Sequence, residues 1–114
     1  MERHRPIDRI EAFAKKLIEL HLLRSVSAFE RVCGLSNKYI SNMARSDRGS
    51  YGVDILDRIY DTFPILNLEW AVTGKGNMLK REPTPEQLWA ISQRIIDRLT
   101  TLKRKEDLLT KTEI

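Results

Sequence analysis

Five side chains within nine residues carry the most chemistry in this sequence: Asn37, Lys38, Ser41, Asn42 and Arg45. Placed on a helix at roughly 100° per residue, they fill one arc of about 140°. Tyr39, Ile40, Met43 and Ala44 fall on the other side, so one half of the helix packs and the other offers hydrogen bonds. No carboxylate interrupts the polar arc. A face that is only solvated mixes Glu and Asp among its Lys and Arg. Asn forms bidentate pairs with adenine and Lys reaches the guanine acceptors, so the arc has the chemistry of a major-groove reader. Arg45 at the helix end and Arg48 in the loop beyond stand where phosphates would flank such a groove.

Other residue types point to no chemistry. Cys33 is the only cysteine, which excludes an internal disulfide and fits a reducing compartment. An apolar group suits its position, and no base stands by to make it a nucleophile. His4 and His21 have no partners at metal-ligand spacing, so no metal is expected. The Gly-Lys-Gly-Asn run at 74–77 follows no strand and opens no helix with Lys-Ser or Lys-Thr, so it reads as a helix end and a turn. Lys15, Lys16 and Arg24 read as ordinary surface charges and Trp70 as core. No catalytic constellation is present. The expectation is a protein that is not an enzyme and needs no cofactor or small-molecule ligand.

The elements that must position the polar arc follow from apolar spacing. Ile10, Phe13, Leu17 and Leu20 recur every three or four residues from Pro6 to about Leu22, a first helix. A second starts at Ser25 or Ser27, the latter with Glu30 as capping-box partner, and ends at Gly34. Ser36 caps a third running to Arg45. The run 46–52 is loop by composition. Val53, Leu56, Ile59, Tyr60 and Phe63 stripe a fourth helix stopped by Pro64, and Asn67 caps a short fifth closed by Gly74. Thr84-Pro85-Glu86-Gln87 combines an N-cap, a first-turn proline and a capping-box glutamine, opening a last helix to about Leu109.

At 114 residues, with 41% apolar and 32% charged side chains, the chain is long enough for one folded domain and an extension. The division expected is a domain over 1–81, then a linker and helix over 82–114. Residues 1–81 hold 14 Lys/Arg against 10 Asp/Glu, whereas 82–114 hold six of each, so the net +4 lies wholly in the first part. A sequence pI near 9.4 favours a polyanionic partner. The opening residues are too polar for a signal peptide and no run is long enough to span a membrane, so a cytoplasmic protein is expected.

With these residues in view, the stretch 29–45 resembles the helix-turn-helix of lambda-repressor-like (XRE-type) transcriptional regulators. In that pattern a turn glycine precedes an apolar residue, and apolar positions lie five and one before it and six and nine after it. Gly34, Leu35, Phe29, Cys33, Ile40 and Met43 stand at those places. The Glu69-Trp70 pair leading to Thr73-Gly74 looks like the end of such domains, and the likeness covers roughly residues 7–79.

The resemblance implies an all-α fold, a five-helix lambda-repressor-like domain with an added amphipathic C-terminal helix. It implies a sequence-specific DNA-binding regulator, a repressor of prophage or mobile-element type, reading the groove with helix 36–45. Carried over position by position, Asn37, Lys38, Ser41 and Asn42 match base-facing places, and Ser25, Arg45 and Arg48 match places near phosphates. One position departs. Family members usually carry Ala or Gly four residues before the turn glycine; here Glu30 stands, either as capping-box partner of Ser27 or paired with a nearby base.

In the C-terminal helix Leu88, Ile91, Ile95, Leu99 and Leu102 recur at steps of three or four, broken by Arg98 and Lys105 where a clean heptad wants apolar groups. The stripe suits a short dimerisation seam, giving a homodimer on an inverted repeat of double-stranded DNA; the alternative is a helix folded back on its own domain. A module that keeps the fold but binds protein, antitoxin- or adaptor-like, is the other functional class.

Overall fold

The computed structural model describes residues 5–46 and 49–112, and among these the chain is all-helical. Six helices follow one another: α1 (Pro6–Glu19), α2 (Val26–Cys33), α3 (Tyr39–Arg45), α4 (Val53–Thr62), α5 (Leu68–Thr73) and α6 (Pro85–Thr112). The only described β-pairing is one isolated antiparallel bridge between Leu66 and Leu79. No helix among the described residues is long and apolar enough to cross a membrane.

The helix boundaries have local causes. α1 stops at Glu19, short of Leu22, because His21 takes the left-handed conformation (φ 63°). Its N–H bonds to Ile18 O and that of Leu22 to Leu17 O, so the last carbonyls of α1 are satisfied. α2 ends the same way, with Gly34 at φ 73° and Leu35 N–H reaching back to Glu30 O. Asn67 Oδ1 accepts from Glu69 N–H and Trp70 N–H to start α5, and Gly74 closes it, both as expected. At the head of α6, Thr84 Oγ1 accepts from Gln87 N–H at 3.1 Å while Gln87 Oε1 accepts from Thr84 N–H at 2.9 Å. That reciprocal pair is the expected capping box.

Three rings mark the centre of the core. Phe13 meets Phe29 and Phe63 edge-on at 6.0 and 5.9 Å, and the latter two stack at 5.8 Å. Ile7, Ile10 and Leu17 of α1, Val32 of α2, Ile40 of α3, Ile59 of α4 and Ala71 of α5 surround them. Two arginines of the first turns of α1 bind helix ends far along the chain. Arg9, buried, donates to Ala71 O and Val72 O at the end of α5. Arg5 donates to Ala44 O and Ser46 O at the end of α3.

The C-terminal helix departs from the seam expected of it. Ile91 and Ile95 are buried in the chain's own core, Leu99 packs against that core, and Leu102 lines a hollow between α6 and the end of α2. The break at Arg98 has the same cause: its guanidinium donates to Thr62 Oγ1 (2.8 Å), Asp61 Oδ2 (2.9 Å) and Val32 O (3.4 Å). Arg94 adds a bond to Asp61 O. A stripe expected to receive a second copy is thus spent largely within the chain, and of the five seam residues Ile91 and Ile95 have no surface to offer. The outward side chains of α6 are others, among them Trp89 and Ile96, exposed by 68% and 51%.

Candidate nucleic-acid interface

The site is built on α2, the turn after it, and α3. Ser25 caps α2, its Oγ accepting from Ala28 N–H at 3.1 Å, which decides between Ser25 and Ser27. The turn 34–38 is held from both sides. Arg58 of α4 donates to Gly34 O at 2.8 Å. Glu30, only 4% exposed, turns neither to Ser27 nor to a base. Its two carboxylate oxygens accept from Lys38 N–H (3.2 Å) and Ile40 N–H (2.8 Å), the leading donors of α3. A helix leaves its first N–H groups without internal acceptors, and a residue eight positions upstream supplies them here.

That arrangement corrects the expected helix 36–45. The helix begins at Tyr39, not at Ser36, and Lys38 stands before it in the left-handed conformation. Asn37 and Lys38 are therefore presented from a turn, while Ser41, Asn42 and Arg45 are presented from the helix. The apolar half packs as its pattern requires: Ile40 is 1% exposed, and Tyr39 and Met43 lie against the core. Burial pushes the Tyr39 hydroxyl up from its ordinary pKa.

Asn37, Lys38, Ser41, Asn42 and Arg45 are all exposed. Ser41 Oγ donates to Lys38 O, which ties the first turn of the helix to the loop before it. Asn37 shares a hollow of about 340 Å³ with Ser27, Glu30, Arg31 and Leu35. Arg31 there meets Glu106 of α6 at 2.5 Å. The far end of α3 is closed by Arg5, by Ser46 Oγ donating to Met43 O, and by Gly49 N–H donating to Ser46 Oγ. Arg48 lies outside the described residues.

The only carboxylate between Arg24 and Ser46 is that of Glu30, and it is buried and bonded. The outward side chains of this stretch are neutral or cationic. Cys33 is buried beside Thr62, and burial raises its thiol to about 12 despite the opposing effects of Thr62 and Arg98, so it carries no thiolate at neutral pH. Among the described residues no three His, Cys, Asp or Glu side chains gather as a metal site would need.

Comparison with protein-family models, curated proteins and solved structures finds no match. The side chains themselves must carry the reading. Sequence reasoning missed Arg5 and Arg58 and gave Glu30 other partners; each of the three acts on a helix end remote in the chain. Only Glu30 left a signal, a charge where a small residue is expected.

Proposed function

We propose that this chain is a sequence-specific DNA-binding transcriptional regulator with a lambda-repressor-like arrangement of α1 to α5, to which α6 is added. The observation that carries the reading is the exposed, acid-free set Asn37, Lys38, Ser41, Asn42 and Arg45 on an α3 held at both ends. Bases are read by side chains placed to within fractions of an ångström, and a helix held at both ends presents them that way. In the complex α3 lies in the major groove and α2 crosses the backbone. Asn42 and Lys38 address base edges with Asn37 and Ser41; Ser25, Arg45 and Arg48 address phosphates. A homodimer on an inverted repeat forms, on this reading, through surfaces other than Ile91 and Ile95.

Selection of duplexes from a random pool, followed by titration of the best duplex at several salt concentrations, tests this. If two copies neutralise about 4–8 phosphates, log K falls against log salt with a slope on the order of −4 to −7. Binding indifferent to salt, or none at low salt, overturns the assignment. One observation favours a second reading, a protein-interaction module: α6 exposes Trp89, Ile96, Leu108 and Leu109. Such a module would select no motif from the pool.

A further inference from the structure

Lys38 sits at φ 63° and ψ 20°, a conformation in which an L side chain crowds the following carbonyl. The residues at positive φ that follow α1 and α2, His21 and Gly34, terminate those helices and are held by backbone bonds to the preceding turn. Lys38 instead precedes a helix. It offers no cap of its own, and Ser36 lends only its carbonyl, to Tyr39 N–H at 3.1 Å. What restrains the turn is the Glu30 carboxylate, buried and bonded at both oxygens to the amides on either side of Tyr39.

The local alternative is evident from the residue types. Ser36 is a good N-cap, and a helix started there would take in Asn37 and Lys38. The φ of Lys38 would then move from 63° to about −63°, the ordinary helical value. That movement re-aims the side chains of Asn37 and Lys38. It leaves Asn42 and Arg45 where they are, because Ile40 is anchored in the core and Arg5 holds the far end, while Ser41, bonded to Lys38 O, lies at the border. Glu30 selects between two starts of one helix.

We propose that Glu30 is a positioning residue for base recognition. By holding 36–38 out of the helix, it decides which base pairs Asn37 and Lys38 address. The proposal rests on the DNA-reading function above. It divides the reading surface in two: a turn-borne half governed by Glu30 and a helix-borne half independent of it. Gln is the informative replacement, since it keeps one acceptor oxygen but turns an N–H₂ group toward a backbone N–H. Ala removes both acceptors and leaves Ser36 free to cap.

The test has an arm that needs no DNA. In the wild-type chain the amides of Lys38 and Ile40 are protected from hydrogen exchange; in Glu30→Ala the Lys38 backbone shifts become helical and Lys38 N–H keeps only the weaker protection that the Ser36 hydroxyl gives, with Glu30→Gln between. Duplex selection with the same chains is the second arm. Glu30→Ala loses roughly tenfold or more in preference at the base pairs that Lys38→Ala also relaxes, and keeps its preference at those relaxed by Asn42→Ala. Unprotected Lys38 and Ile40 amides in the wild type overturn the proposal without any variant. So does a folded Glu30→Gln or Glu30→Ala chain that loses affinity evenly with its preferred duplex unchanged, since Glu30 would then be structural only. If the wild type selects no duplex while the amide shifts move as stated, the DNA reading falls and the control of the turn by Glu30 stands.

Discussion

α3 and α6 both carry polar side chains beside an apolar stripe, and the two have opposite fates. On α6 the polar interruptions Arg94 and Arg98 are consumed by the chain itself, bonded to Asp61, Thr62 and Val32. On α3 and the turn before it, Asn37, Lys38, Asn42 and Arg45 point outward, and the bonds that fix the element come from Glu30 and Arg5 instead. Residue type alone does not separate an arginine that locks a helix down from one left for a ligand. The bookkeeping of hydrogen bonds does.

The largest expected effect touches both regions at once. Phe29 stacks on Phe63 beneath α2, and Phe29→Ala should cost about 3–5 kcal/mol in denaturant unfolding, with α3 and α6 lost in the same transition. Two separate transitions would mean that α6 stands apart from the domain. Next comes Ile95→Ala, at about 2–5 kcal/mol. Because Ile95 is buried within one chain, the loss should be the same at every protein concentration. A loss that vanishes on dilution would restore Ile95 to a seam between copies and erase the contrast with α3.

Asn42→Ala and Lys38→Ala should behave in the opposite way. Stability should stay within about 0.5 kcal/mol of the parent. Binding to the best duplex should weaken by roughly 1–3 kcal/mol, at particular base pairs. Measuring melting and binding on the same samples sharpens the distinction between spent and unspent side chains. Equal affinity for Asn42→Ala would remove α3 from the reading surface.

The effect that is smallest at neutral pH is a pH dependence. Burial raises the Cys33 thiol from 9.0 to about 12 in the folded chain, so above pH 9.0 the unfolded chain releases a proton that the folded chain keeps. Stability from this group is complete below pH 9.0 and should fall by about 1 kcal/mol per pH unit as pH rises toward 12. Tyr51, raised to about 12 by burial, adds to the slope from pH 10.0. Cys33→Ala should flatten the first part of the fall in denaturation curves taken from pH 8 to 11.

Where a helix end is decided by its own neighbours, the sequence was sufficient. Pro6, Gly34, Asn67, Gly74 and the Thr84–Gln87 pair do in the fold what their types suggest. The start of α3 was not legible, because its cap comes from Glu30 on another helix and overrides a perfectly good Ser36 nearby. The destination of α6 was not legible either. An amphipathic stripe has the same spacing whether it meets a second copy or its own core, and only the Arg98 interruption hinted that its partner would be polar helix ends. The outward arc of the candidate site was legible in composition but not in geometry, since two of its members stand on a turn.

The packing of α6 also has a consequence for how the chain is made. Ile91 and Ile95 complete a core whose other members all lie before Arg81. A ribosome adds about 5–20 residues per second. From Arg81 to Ile95 the ribosome therefore needs about 1–3 s, and the two isoleucines that complete the core are the last of its members to be made. The apolar surface beside α2 that they cover stays open until α6 has been made and has folded back.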